Sequence, residues 1–234
     1  MPDHYVAGAS AGYGYAVPGQ DSRLRGTGRL ADDLWLLAHD DRTGKCRIGP
    51  RPLGLGLAGG LLCELLLAGQ AGVTRDGLII AGAKPPPDPR AHHGSLLRQI
   101  TSEPVPLPVR DWIRFISQSS AREVTARLEQ DGYLTVTRRR VPGLQDRRTP
   151  RNPDWAITPI SRAGAALDPR RPAGPYAGAL AGLAAASGLG FRLDQYLRAG
   201  RTVQAAVASL TPPLRQVIDQ TEITVSAAVH SPRT

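Results

Sequence analysis

The sequence predicts a mainly α-helical protein, a single globular domain with small peripheral β-hairpins. Two observations predict this class: an apolar stretch from about Leu53 to Ala68, and helical spacing of apolar residues at Ala121, Val124 and Leu128. A helix that is apolar on every side belongs in the middle of a fold, so we expect the first stretch to be the central helix. The chain has 234 residues, of which 41% are hydrophobic, enough for one sizeable core.

The domain is expected to cover residues 29–230, after a disordered tail at residues 1–28. This tail is rich in Gly, Ala and Tyr and shows neither helical nor strand periodicity. The first helix is predicted at Leu30–Ala38, where Leu30, Leu34 and Leu37 share one face. An Asp-Asp-Arg-Thr-Gly turn follows, and Pro52 suits the first turn of the central helix.

Small hairpins and further helices complete the predicted architecture. A hairpin over Val73–Ala81 is expected to turn at Asp76-Gly77, and Ser120 with Glu123 has the spacing of a helix capping box. A longer basic hairpin is predicted at about residues 133–160, with Tyr133–Thr137 as one strand and Trp155–Ile160 as the return. The remaining predicted helices are Ser95–Ile100, Pro108–Ile116, Tyr176–Ser187, Leu193–Leu197, Thr202–Leu210 and Pro212–Val229.

The charge balance favours anionic partners. The formal net charge is +9, and nearly all of it comes from arginine, because Lys45 and Lys84 are the only lysines. Phosphate headgroups, nucleic acid or an acidic protein would suit this surplus of positive charge. A solvated protein surface explains it equally well, because a GC-rich genome encodes arginine in place of lysine. Aromatic residues form only 5% of the chain, so base-stacking platforms are scarce and nucleic acid is not expected as a partner.

The predicted basic hairpin is the strongest positive feature of the sequence. Arginine binds phosphate with two parallel hydrogen bonds, and each basic residue near an anionic bilayer contributes about 1 kcal/mol. Val141 and Leu144 lie at the expected tip, which would suit shallow insertion into a membrane. The alternative is a solvated hairpin. The arginines are Arg138, Arg139, Arg140, Arg147, Arg148 and Arg151.

Motifs for catalysis, cofactors and metals are scarce. The sequence has no GxSxG, no phosphate-binding loop and no GxGxxG before a helix, and two cysteines are too few for a disulfide framework. We predict no cofactor and no metal site. Should the protein be an enzyme, Glu64, Asp33 and His39 are the candidate catalytic residues. Glu64 stands alone in an apolar helix, where an acid is more often satisfied by an arginine or by backbone amides.

Four stretches resemble the Golgi phosphoprotein 3 family: LADDLWLLAHDDRTG, the glycine-leucine helix ending in CELLLAGQ, LEQDGYL before the hairpin, and TPPLRQVIDQTEITVSAAV. The resemblance covers roughly Leu30 to Val229. It implies a helical domain with a flat basic face, recognition of phosphatidylinositol 4-phosphate and a membrane-inserting hairpin. In eukaryotic members it also implies binding to the tails of Golgi glycosyltransferases. The arginine-rich composition favours a bacterial, actinobacterial member.

The headgroup-binding positions of that family are not matched. They fall near Gly49 and at Ala58, Gln118 and Ala121, where the family has one tryptophan and three arginines. The first hypothesis is therefore a cytoplasmic peripheral membrane adaptor that binds anionic lipid. Another is a family scaffold recruited to bind a small molecule or catalyse a reaction, and an adaptor for an acidic protein partner is a third. The lipid-binding residues predicted for the first are Arg51, Arg122, Arg138, Arg139 and Arg140.

Overall fold

The computed structural model describes residues 27–83, 92–138, 146–170, 172, 174–193 and 202–230. Within them the chain is mostly helical, as predicted, with two antiparallel two-stranded hairpins. The helices are α1 Leu30–Ala38, α2 Pro50–Leu67, α3 His92–Ser102, α4 Val109–Ser117, α5 Ser120–Gln130, α6 Asp154–Ala165, α7 Pro175–Ala186, α8 Val203–Ala208 and α9 Pro212–His230. The strands are β1 Ala71–Val73, β2 Ile79–Ala81, β3 Leu134–Thr137 and β4 Arg147–Pro150.

Helix α2 lies at the centre, which confirms the prediction from its apolar composition. It contacts α1, α4, α5, α7 and α9. Pro50 and Pro52 occupy its first turn, where a missing backbone N–H costs nothing. By length and composition α2 could cross a membrane, but 72% of its residues are buried inside the domain, as expected for the core helix of a globular fold.

Glycines let neighbouring helices approach α2 closely. A Cβ at Gly60 would lie 3.0 Å from the Cα of Ala31, and one at Gly54 would lie 2.8 Å from the carbonyl oxygen of Ser117. A Cβ at Gly56 would lie 3.3 Å from Cδ2 of the Leu34 side chain. Because Ala31 pairs with Gly60 and Leu34 with Gly56, α1 and α2 run antiparallel. The C-terminal end of α1 and the N-terminal end of α2 therefore lie at the same end of the molecule.

The predicted capping box at the start of α5 is wrong. Ser119 is the N-cap residue, and its side chain makes no capping hydrogen bond. The Ser120 hydroxyl instead donates to the backbone carbonyl of Gly54, 2.8 Å away in α2. The side chain is fully buried, so this hydrogen bond to another helix replaces the expected bond to its own backbone.

Both hairpins are present, but the second is shorter than predicted. β1 and β2 turn at Gly77, whose φ of +79° explains the glycine there. β3 pairs with β4, with Thr137 opposite Arg147. The predicted return strand at Trp155–Ile160 is wrong, since those residues form the first turns of α6. They bury Ala156 and Ile160 at helical spacing.

Several other predictions are corrected or lie beyond the described residues. Helix α3 begins three residues earlier than predicted. Of the helix predicted at Leu193–Leu197 only Leu193 is described, as the last residue of a 3-10 turn at Gly190–Leu193, and the rest lies outside the described residues. The proposed N-terminal tail is outside the described part except for Thr27 and Gly28. Four hairpin residues that the sequence singled out also lie outside it: Arg139, Arg140, Val141 and Leu144.

Candidate functional site

Buried charges gather at the N-terminal end of α1. Asp32 is fully buried, and it accepts hydrogen bonds from Arg127 Nε at 2.8 Å and Arg29 Nε at 2.6 Å. Arg127 Nη2 also donates to the same carboxylate, and Arg29 pairs with Asp131. Arg127, only 2% exposed, therefore links α5 to α1 through a charge pair that is shielded from water.

Glu64 belongs to the same group of charges. Its Oε1 accepts the backbone N–H of Ala31 at 2.7 Å, and its Oε2 lies 3.6 Å from Arg127 Nη1. The Ala31 amide is in the first turn of α1, where backbone donors lack partners within the helix. Glu64 thus satisfies one such donor and shares the guanidinium of Arg127 with Asp32. These contacts explain its burial in the apolar helix α2.

Asp33, the neighbouring carboxylate, points to a different set of partners. Its Oδ2 accepts from Arg162 Nη1 and from the Tyr176 hydroxyl, both at 2.9 Å, and its Oδ1 accepts from the Thr27 hydroxyl at 2.9 Å. Arg162 also lies over the Tyr176 ring, 5.6 Å from its centroid. Asp33 therefore ties α1 to α6 and α7. We call Asp32, Asp33, Glu64, Arg127, Arg162 and Tyr176 the buried charge cluster.

Burial shifts the proton affinities in the buried charge cluster. It raises the pKa of Asp32 to about 6, while the guanidinium groups of Arg127 and Arg29 act in the opposite direction. Burial also raises the pKa of Asp33 against the effect of Arg162. The pKa of Tyr176 is raised by burial and by the Asp33 carboxylate that accepts a hydrogen bond from its hydroxyl. All three carboxylates thus have protein partners, which is the arrangement of a structural network.

His39 lies apart from the buried charge cluster. It follows the last residue of α1, six residues after Asp33, which corresponds to about 9 Å along a helix. Its ring stacks on Trp35 with centroids 3.7 Å apart, and Nδ1 lies 2.7 Å from the Trp35 carbonyl oxygen. Burial lowers the pKa of His39. The structure therefore brings Asp33 and Glu64 to one end of α1 and leaves His39 at the other.

Several cations, most of them exposed, lie at the end of the molecule where His39 lies. The turn after α1 folds back, with Arg47 N–H donating to the Ala38 carbonyl at 2.8 Å, and Gly44 packs against the backbone of Arg148 in β4. This contact puts the turn beside the hairpin. The 3-10 turn lies near the segment between this turn and α2, because Ile48 approaches Gly188 just before it. We call the cations of this end the basic face: Arg42, Lys45, Arg47, Arg51, Arg138, Arg147 and Arg192.

The electrostatics of the basic face are unlike those of the buried charge cluster. Burial lowers the pKa of Arg192, and the nearby Arg47 guanidinium lowers it further, while Asp41 and Asp40 raise it. The Thr43 backbone and hydroxyl hold the pKa of Asp40 at about 2. Asp40 also pairs with Arg47 at 2.9 Å. Even with Asp40, Asp41 and Asp146 counted against its seven cations, this end keeps a positive surplus.

Comparison with known proteins identifies the family. The family model described as Golgi phosphoprotein 3 (GPP34) matches residues 30–221, which is most of the chain. The chain belongs to the Golgi phosphoprotein 3 family. No curated protein matches it. The family assignment accounts for the helical fold, in which α1 to the middle of α9 are covered by the match.

Of the four headgroup positions that the family resemblance implies, Gln118 and Ala121 lie at the junction of α4 and α5. Ala58 is fully buried in α2, Gly49 is exposed before it, and Ala121 is half-buried in α5. Gln118 lines a cavity of about 220 Å³ between α2, α3, α4 and α5. Arg51 and Arg122, two of the predicted lipid-binding residues, are exposed, but Arg122 points away from α2, about 200° around α5 from Ser120.

That cavity is the second feature of the site. Its buried lining is apolar apart from Arg127, and its exposed lining carries polar side chains together with Phe115. The lining residues are Leu61, Ser95, Leu96, Gln99, Phe115, Ile116, Gln118, Ser119, Glu123, Val124 and Arg127. Among the described residues, no group of three or more His, Cys, Asp or Glu side chains could hold a metal ion.

Sequence reasoning missed Arg127, Arg47 and Arg192. Arg127 sits two turns into α5 and gives no local signal, since its partner Asp32 is 95 residues away. Arg47 and Arg192 flank glycine-containing turns, and only the contact between Ile48 and Gly188 brings those turns together. The signal for this end in the sequence is the RTGKCR segment, which has three cations in the six residues Arg42–Arg47.

Proposed function

We propose that this protein is a cytoplasmic peripheral membrane protein whose basic face binds anionic lipid headgroups. The observation that carries the proposal is the packing of the turn at Gly44 on the hairpin strand at Arg148. This contact joins two basic segments, far apart in sequence, into one surface. The N-terminal end of α2, with Arg51, adjoins it.

The energetics favour binding to a charged surface. Each basic residue near an anionic bilayer contributes about 1 kcal/mol, so even a few of the seven cations give a measurable affinity. Phe191, 53% exposed and next to Arg192, supplies an apolar side chain at the same end. In the proposal, Arg139 and Arg140 extend the positive charge of the hairpin, and Val141 and Leu144 insert between headgroups.

We propose binding that depends on lipid charge more than on headgroup identity. Recognition of a phosphate at one position of the inositol ring requires charged hydrogen-bond donors. The four headgroup positions supply none, because they are occupied by Gly49, Ala58, Gln118 and Ala121. Exposed cations on one surface instead attract any anionic lipid. Phosphatidylinositol 4-phosphate would then bind no better than another lipid of equal charge.

The test is co-sedimentation with vesicles, with and without anionic lipid, at low and high salt. We expect binding only with anionic lipid, and weaker binding at high salt, because salt screens exposed charges. The variant Arg42→Ala/Arg138→Ala/Arg147→Ala should lose most of it. The matched control Arg75→Ala/Arg110→Ala/Arg114→Ala removes three exposed arginines from the β1–β2 turn and from α4, whose first residue donates a backbone hydrogen bond to Gly77.

The results separate the candidate functions. Binding that ignores lipid charge, or that the control variant loses equally, would overturn the proposal. Retention of the protein by an acidic polypeptide but by no vesicle would favour the adaptor for an acidic protein partner. The other candidate, a scaffold that binds a small molecule or acts on one, is favoured by the cavity at Gln118.

A further inference from the structure

The cavity between α2, α3, α4 and α5 has a chemistry that the basic face does not share. Its deep residues are apolar and nearly inaccessible: Leu61 is 6% exposed, Leu96 is 7%, Ile116 is 5% and Val124 is 1%. Phe115, by contrast, is 53% exposed and therefore lies at the mouth. A cavity of about 150 Å³ holds one benzene molecule, so about 220 Å³ admits a ligand that is a few atoms larger.

The charges around the cavity disfavour an anion. Arg127 is the one cation in the lining, and two carboxylates, Asp32 and Glu64, already share its guanidinium. Glu123, exposed at the mouth, adds a negative charge, and Arg127 lies one turn further along the same face of α5. An incoming phosphate or carboxylate would meet Glu123 without gaining an unshared cation.

The mouth carries the groups that recognise an ammonium ion. An aromatic face and a carboxylate attract a cation together, the first through the ring quadrupole and the second through a charge-assisted hydrogen bond. Trp112 contacts the Phe115 ring edge-on, with centroids 5.9 Å apart at 85°, which fixes its orientation. Gln99, Gln118 and Ser119 add oxygen acceptors around the same opening.

We propose that this cavity binds a small molecule with a primary ammonium group and a short apolar tail. The ammonium lies between Phe115 and Glu123, and the tail lies against Leu61, Leu96 and Val124. The site is separate from the basic face and does not depend on the lipid binding proposed above. A free alkylamine and the ethanolamine headgroup of a lipid share the recognised chemistry.

The test uses n-hexylammonium, 1-hexanol and hexanoate in titration calorimetry with the full-length protein. We expect hexylammonium to bind about tenfold more tightly than hexanol, because hydrogen bonds to charged groups are the stronger ones. Hexanoate should bind least. Glu123→Gln should weaken hexylammonium about tenfold and leave hexanol unchanged, while Phe115→Leu should weaken hexylammonium about threefold. Glu222→Gln, an exposed acid on α9, is the matched control.

Each other outcome overturns the proposal. Equal affinity for hexylammonium and hexanol would leave only an apolar cavity, and tighter binding of hexanoate would reverse the assigned charge preference. If Glu123→Gln had a normal circular dichroism spectrum and an unchanged affinity for hexylammonium, the ammonium would not bind at the mouth of the cavity. If none of the three ligands bound, the cavity would not be a binding site. These calorimetric results do not depend on whether the protein binds anionic vesicles, because the titrations contain no vesicles.

Neutral vesicles of phosphatidylcholine, with and without phosphatidylethanolamine, distinguish the two sources of the ammonium. If phosphatidylethanolamine retains the protein and hexylammonium releases it, the ligand is a headgroup. If hexylammonium binds and the vesicles retain nothing, the ligand is a free amine. Both results support the site, and Glu123→Gln should abolish whichever binding is seen.

Discussion

The two ends of α1 use charge in opposite ways. At its N-terminal end, Asp32 and Asp33 are fully buried, and each meets a guanidinium within 3 Å. At its C-terminal end, cations such as Arg42 and Lys45 are exposed and outnumber the acids around them. Charge at the first end therefore determines how helices pack, and charge at the second is available to a partner. Asp32-Asp33 at the start of α1 and Asp40-Asp41 just after its end look alike in the sequence, so burial decides the role of each pair.

The largest expected effect comes from Arg127→Met. Removal of this guanidinium leaves Asp32 and Glu64 buried without their shared partner, which costs about 3–5 kcal/mol of stability. That is a large fraction of the roughly 5–15 kcal/mol that holds a domain together. Urea unfolding measures the loss. Arg122→Met, an exposed position on the same helix, should change stability by less than about 0.5 kcal/mol.

The difference between these two variants sharpens the comparison. If Arg127→Met cost no more than Arg122→Met, the buried charge cluster would not stabilise the fold. Addition of Asp32→Asn to Arg127→Met should recover part of the loss, since it removes one of the two buried carboxylates that lost Arg127 as a partner.

The second effect is a pH dependence that belongs to the buried end. The pKa of Asp32 is raised to about 6 in the folded state, so this group favours folding most below its unfolded pKa near 4. That contribution disappears as the pH rises through 6. The two pKa units correspond to at most about 3 kcal/mol. His39, whose pKa is lowered by burial, acts in the opposite sense as the pH falls below about 6.5.

Comparison with Asp32→Asn isolates the aspartate from His39. The difference in free energy of unfolding, protein minus variant, should decrease as the pH rises from 4 to 6 and stay constant above about 7. A difference that grows over this range would mean that the guanidinium groups outweigh burial. The pKa of Asp32 in the folded protein would then lie below 4 instead.

The fold was largely predictable from local patterns, but the contacts between distant segments were not. α2 and the β1–β2 hairpin follow from composition and from a turn that needs glycine at Gly77. Trp155–Ile160 was misassigned because a short apolar run fits a strand or a helix equally well. Ser120 was misread because its hydroxyl can cap its own helix or bond to another, and only the close approach of Gly54 decides between them.

The candidate site was less predictable for the same reason. The arginines of the hairpin were visible in the sequence, yet their alignment with the turn after α1 depends on a backbone contact between Gly44 and Arg148. The partner of Glu64 was anticipated only as an unspecified arginine or backbone amide, and both proved to be present. Which arginine it is depends on how α5 crosses α2, and no local pattern specifies that crossing.

The third effect tests how tightly α2 packs on the α4–α5 junction, near the end of α2 that adjoins the basic face. Gly54→Ala would put a methyl group 2.8 Å from the carbonyl oxygen of Ser117, and backbone cannot move aside as a side-chain tip can. We expect a loss of about 1–2 kcal/mol, in which overpacking exceeds the gain in helix propensity. Gly49→Ala, at the exposed start of the same helix, meets only Pro52 at 3.4 Å and should be nearly neutral.

Thermal unfolding of both glycine variants provides the measurement. A neutral Gly54→Ala would show that the α4–α5 junction moves easily relative to α2. The cavity beside Gln118 would then have walls that adjust to a ligand, and its size in the unliganded protein would say little about what it binds.

The smallest effect concerns the ion pair of Arg148 with Glu129, which lies between the two ends. Both side chains are about one-third exposed, so water and salt screen the pair. A double-mutant cycle with Arg148→Ala and Glu129→Ala should give a coupling of about 0.2–1 kcal/mol, lower still in 0.5 M salt, about where screening shortens to a few ångströms. A salt-insensitive coupling above about 2 kcal/mol would mean that the pair is shielded from water and salt, as the buried charge cluster is. Arg148 would then stabilise the fold through Glu129, and the hairpin would hold its position beside the turn at Gly44 even without a membrane.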